Sequence, residues 1–170
     1  MKRVTYLLFL VALLISSCSK DSNNDPPSGI DELYGAWIHE TLGDEPGIPD
    51  QKFNLVFTES NVGDDLYEFY WSATDSLGVY FVVACEAGTF TAVGDLLFGE
   101  ADRVGGQWDP FNDILHDTIV WYYPGDPIFD LYDTFESVGY ELVDDDLLIK
   151  SDDNENGVFD DDEITLYRRE

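Results

Sequence analysis

The chain has 170 residues, with 36 acidic against 8 basic side chains and a formal net charge of −28 at neutral pH. That balance excludes nucleic acid and anionic lipid head groups as partners, because phosphate recognition is carried by Lys and Arg. Aromatic residues make up 15% of the chain, too much apolar payload for a disordered acidic polymer, and the length suits a single domain with its own core.

Residues 1–17 read as a secretory signal peptide. Lys2 and Arg3 are followed by an apolar run of 12 residues, Val4 to Ile15, and by the small residues Ser16 and Ser17 before Cys18. The run is shorter than the roughly 20 residues that cross a bilayer as a helix, so no membrane span is expected from it. Ile15-Ser16-Ser17-Cys18 resembles the lipobox of bacterial lipoproteins, with Ile15 in place of the usual Leu. The resemblance implies cleavage before Cys18 and acylation of that thiol, palmitate included; the alternative is a secreted protein with an incidental cysteine. Removing residues 1–17 leaves 153 residues with a net charge of −30.

From Cys18 to Gly29 the chain is polar and rich in Ser, Asn, Asp and Pro, the composition of a flexible, lipid-anchored tether. Ser19-Lys20-Asp21 is similar to the segment behind the cysteine in outer-membrane lipoproteins. It implies an outer-membrane anchor, with the cell surface favoured over the periplasmic face. With Cys18 lipidated, Cys85 is the one remaining thiol and no internal disulfide forms. It lies in the apolar stretch Val79–Cys85, next to Glu86 rather than a cation, which predicts a buried and inert thiol.

Residues 30–170 form the predicted domain. Leu33 to Glu40 has strand composition, with Leu33, Gly35 and Trp37 on one face. Lys52 to Glu59 alternates Phe53, Leu55 and Phe57 against Asn54, Val56 and Thr58, and Leu66 to Thr74 alternates Tyr67, Phe69, Trp71 and Ala73. Turn chemistry at Asn61–Asp65 and Asp75–Gly78 separates the strands. Val79 to Ala87 is apolar on both faces; Thr89–Val93 and Asp95–Gly99 continue the pattern across a bulge or bend at Gly94. The pattern lapses from Ala101 to Asp117, where Asp109-Pro110 has the form of a helix start and predicts a short helix from Pro110 to His116. Thr118–Tyr123, Thr134–Val143, Leu147–Lys150 and Glu163–Arg169 return to strand, with Ile128–Asp133 open between strand and loop.

This is an all-β chain of about eight or nine short antiparallel strands. Gly35-x-Trp37 near its start resembles the Gly-x-Trp of the lipocalin and lipocalin-like families, and the last strand ends Leu166-Tyr167-Arg168-Arg169. The resemblance implies a small up-and-down barrel with the tryptophan plugging one end, and a binding role. A β-sandwich fits the same strands.

Asp152 to Glu163 matches the twelve-residue calcium-loop pattern D-x-[DN]-x-[DN]-G-x5-E at every constrained position. Asp152, Asn154 and Asn156 supply side-chain oxygens, Gly157 the sharp turn, Val158 its carbonyl, Asp160 a direct or water-bridged oxygen, and Glu163 two closing oxygens. The flanks read as strands, unlike an EF-hand. The expected ion is a structural calcium that pins the last hairpin and binds weakly, near 10⁻⁴ to 10⁻³ M as a rough range; the alternative is a solvated acidic loop.

Catalytic patterns are missing from the sequence. His39 and His116 have no metal-binding spacing, and no G-x-S-x-G, P-loop or dinucleotide fingerprint occurs. Carboxylate pairs of the kind sugar hydrolases use carry no information in a chain this acidic, which leaves a carboxylate-based sugar-active enzyme as a third alternative. Trp37 and Trp71 are expected to fill the interior, while Trp108, Trp121, Tyr122 and Tyr123 are candidates to line a mouth and contact ligand. The expectation is a non-enzymatic, lipid-anchored, monomeric binding protein. The alternative is a structural or interaction module of a surface complex, carbohydrate-related in view of its exposed-ring candidates.

Overall fold

The computed structural model describes residues 30–43, 48–109, 111–132, 134, 137–151 and 163–170. The predicted signal peptide, Cys18 and the tether lie outside them, as do all the predicted calcium ligands except Glu163. Among the described residues nine strands succeed one another: β1 (Gly35–Thr41), β2 (Gln51–Thr58), β3 (Asp65–Thr74), β4 (Tyr80–Val93), β5 (Leu96–Asp109), β6 (Ile114–Tyr122), β7 (Ser137–Val143), β8 (Asp146–Lys150) and β9 (Ile164–Arg169).

Eight of them close a barrel. Each of β1 to β5 pairs antiparallel with the next, β5 passes to β7, then come β8 and β9, and β9 returns to β1 through Trp37 opposite Arg169. β6 is the extra strand. The start of β5, Leu96–Phe98, pairs with β7, while its far part, Val104–Asp109, pairs with β6. Closure leaves eight strands without a free edge.

The inward faces obey the alternation in the sequence. Trp37 sits opposite Leu55, Leu55 opposite Phe69, and Leu147 opposite Tyr167. One end is packed solid: Leu33, Trp37, Phe57 and Phe90 are buried, with the Phe57 and Phe90 rings edge to face at 4.8 Å. Trp37, 1% exposed, donates from Nε1 to the Leu33 carbonyl at 2.7 Å, and the Arg169 guanidinium lies over its ring at 4.5 Å. Arg169 also donates to the carbonyls of Glu32 and Tyr34, tying the last strand to the turn before β1. Trp71 is half-buried, its ring stacked on Phe53, and its buried Nε1 has no hydrogen-bond partner among the described residues.

Three local expectations are corrected or resolved. The predicted helix from Pro110 to His116 is a hairpin: residues 111–113 turn and β6 starts at Ile114, Pro110 itself being outside the described residues. The Asp109 carboxylate accepts the N–H groups of Phe111 and Asn112 at 2.9 and 3.2 Å. That is the bonding of a helix cap, spent here on a turn that Asp113 completes at a φ of 53°. Of bulge and bend, Gly94 is the bend: it takes a φ of 66° in the turn between β4 and β5, and the register shift between those two strands falls at Ala87/Gly88. Residues 129–131 form one turn of 3-10 helix.

Where β4, β5 and β6 cross, backbone comes unusually close to backbone. A Cβ on Gly105 would collide with the Val120 carbonyl, and one on Gly106 with the Val83 carbonyl. Just beyond, Gln107 replaces ladder bonds with its side chain: Oε1 accepts the Val82 N–H at 2.8 Å and Nε2 reaches the Asp117 carbonyl at 3.4 Å.

Candidate functional site

Beyond the packed end the barrel is hollow. A cavity of about 500 Å³ runs from a floor of Leu55, Phe57, Tyr67 and Leu97, between walls that include Phe69, Ala84, Val138 and Ile149, to Ser151, Tyr132 and Thr134. Its volume is in the range of small-molecule sites, about 300–1,000 Å³. On this lining Ala84 of β4 is small where Phe57 of β2 and Tyr67 and Phe69 of β3 are aromatic. The segment between β6 and β7 contributes Tyr132 and Thr134, and Ser151 at the end of β8 completes the lining.

Among the described lining residues one carboxyl group faces this space. Glu86, on β4 opposite Phe69 and Val104, is only 7% exposed. The Tyr67 phenol interacts with it: burial first, then the charge of Glu86 and a hydrogen bond to it, hold that phenol well above its ordinary range, so it stays protonated and can donate. Tyr167, deep in the same cavity, is pushed up to about 12 by burial. Glu86 was not among the site residues expected from the sequence. The signal for it is a single acid inside the doubly apolar run Val79–Ala87, which bears on the cavity as well as on its neighbour Cys85.

Cys85 is buried as expected. Burial pushes its thiol up to about 12, Arg103 opposing and Glu68 and Glu86 adding. The raised value means the folded chain holds the proton more tightly than the unfolded one. Its contribution to stability is therefore full below the ordinary value of 9.0 and is lost as pH rises towards about 12. At mildly alkaline pH, the chain from Ser19 onward is expected to react with a soluble aromatic disulfide only after denaturation; rapid stoichiometric reaction of the native protein would contradict this.

The four ring residues expected at a mouth lie on the β5–β6 hairpin and just after it. Trp108 lies on β5 opposite Leu115, its Nε1 3.4 Å from Asp113, and Trp121 and Tyr122 lie on β6 opposite Gly105 and Val104. Arg103 sits 5.1 Å over the Trp121 ring and 3.4 Å from Glu68; Tyr122 packs against Tyr132, and Tyr123 is exposed. None of the four is among the cavity-lining residues. His39 lines a smaller cleft with Thr41, Gln51 and Thr165. Its Nδ1–H donates to the Leu166 carbonyl at 2.9 Å and its Nε2 accepts from the Thr41 hydroxyl at 3.1 Å. His116 lies on β6, the strand outside the closed barrel.

Of the predicted calcium ligands, Asp152, Asn154, Asn156, Val158 and Asp160 lie outside the described residues. Glu163 is buried, and its carbonyl accepts the Ser151 N–H at 3.0 Å. That bond draws the two ends of residues 152–162 together between β8 and β9, the closure a chain needs to wrap an ion.

Comparison with protein-family models, with curated proteins and with solved structures found no match.

Proposed function

We propose that this protein is an extracytoplasmic, non-catalytic binding protein, held to the outer membrane by lipid on Cys18, whose barrel receives a small apolar molecule. The observation that carries the reading is the cavity: about 500 Å³ of largely apolar space inside a barrel whose other end is packed. Concave apolar space rewards an apolar guest through the surface it buries. The test is fluorescence titration of the chain from Ser19 onward with N-phenyl-1-naphthylamine, a neutral apolar probe. Saturable uptake of one probe per chain is expected; linear, non-saturating uptake would refute the reading.

The same proposal includes one structural calcium in residues 152–163. The closed neck at Ser151 and Glu163 and the oxygen-only donor set suit that ion, which when bound would neutralise clustered carboxylates and hold β8 to β9. Calcium at ten times its Kd should stabilise the fold by about 1.4 kcal/mol. The thermal midpoint should rise by a few degrees with calcium, not with equal magnesium, and the rise should vanish in Glu163→Gln. An equal rise with magnesium would return the loop to a solvated acidic turn.

A second reading has its own observation. β6 pairs only with β5 among the described strands, and the tip of that hairpin exposes Trp108, Phe111, Ile114 and Leu115. An open strand edge beside apolar side chains suits docking of another protein, the interaction-module alternative.

A further inference from the structure

We infer that the cavity selects apolar molecules whose polar end donates a hydrogen bond, an amine or a hydroxyl, and rejects those ending in a carboxylate. The inference rests on the cavity-binding reading above and adds the chemistry of the guest.

Glu86 decides it. Its carboxylate lines the cavity, is nine-tenths removed from solvent, and has the Tyr67 phenol beside it. Among the described residues that line the cavity there is no Lys, Arg or His. The basic side chains of the described residues are placed elsewhere: Lys52 pairs with Glu40, Lys150 with Glu141, Arg103 with Glu68 and Asp102, Arg169 lies over Trp37, and Arg168 is exposed. A fatty-acid carboxylate entering this space would sit beside the carboxyl group of Glu86 in a low-dielectric surrounding, where two carboxyl groups cannot both hold their charge, with no cation among the described lining residues to receive it. An ammonium there gains the converse attraction, and a hydroxyl donates to the carboxylate without bringing charge. The remaining polar groups, the hydroxyls of Tyr132, Thr134, Ser151 and Tyr167, are neutral and do not reverse this preference. The net charge of −28 acts in the same direction at long range, lowering the local concentration of anions.

The test keeps the tail constant and varies the head. Laurylamine, lauryl alcohol and laurate, each below its micellar concentration, compete with bound N-phenyl-1-naphthylamine at neutral pH, first at low and then at high salt. The amine and the alcohol are expected to displace the probe at concentrations at least tenfold below laurate. High salt should leave that gap in place, because a buried charge is screened far less than a surface one. Glu86→Gln should narrow the gap chiefly by improving laurate; the wild-type series decides the matter if that variant does not fold. Laurate displacing as well as the amine, or a gap that closes in salt, overturns the selectivity while leaving the cavity reading intact. A probe that never binds overturns both.

Discussion

Replacing Trp37 by alanine is expected to cost about 3–5 kcal/mol, the range for removing a large aromatic side chain from a core. Set against a typical total of about 5–15 kcal/mol, that loss leaves a barely folded or unfolded chain. Trp37 concentrates several contributions in one side chain: a buried ring at the packed end, an indole N–H satisfied by Leu33, and a guanidinium from Arg169 resting on its face. Alanine also removes the surface against which the last strand closes on the first. Urea unfolding monitored by far-ultraviolet circular dichroism measures the cost. Trp108→Ala serves as contrast, because that ring is 37% exposed at a hairpin tip. A Trp37 variant within about 1 kcal/mol of wild type, well under that range, would contradict the packed-end account.

Gly106→Ala is expected to destabilise by about 1–3 kcal/mol or more, the cost of forcing atoms into filled space. The reason is steric rather than torsional: the new methyl would meet the Val83 carbonyl, part of a strand backbone that cannot rotate aside. β4 and β5 would have to separate at the place where Gln107 already substitutes for their ladder. The same substitution at Gly63, in the loop between β2 and β3, meets no neighbouring atom, although its φ of 99° adds its own strain. Chemical denaturation reads Gly106→Ala directly, and an unchanged midpoint would mean that the strands do not cross as described.

The fold was legible because its inward faces are. Phe53, Leu55 and Phe57 on β2 and Tyr67, Phe69 and Trp71 on β3 alternate cleanly, and Gly35-x-Trp37 marked the start of the packed end. β5 was obscure for a physical reason. Its outward and inward positions mix charge, glycine and apolar side chains, since much of its length is held by backbone pairing on both sides. The helix at Pro110 failed because an aspartate accepting two successive N–H groups looks the same in a helix cap and in a tight turn. The residues after the turn decide between the two, and here they pair as β6 with β5. Alternation also cannot show how much space the inward side chains leave, so the cavity was invisible, and with it the role of Glu86. The calcium pattern rests on the spacing of residues 152–163 alone, since Glu163 is the one predicted ligand among the described residues.

The most direct test of the central proposal is probe binding to Ala84→Phe. Ala84 lines the cavity, so a phenyl ring there occupies the space proposed for the guest. The variant is expected to keep the circular dichroism of the wild type and to lose at least tenfold in affinity for N-phenyl-1-naphthylamine. Undiminished binding to the folded variant would place the probe outside the barrel, with the exposed side chains of the β5–β6 hairpin tip the site to examine, and would contradict a function carried by the cavity.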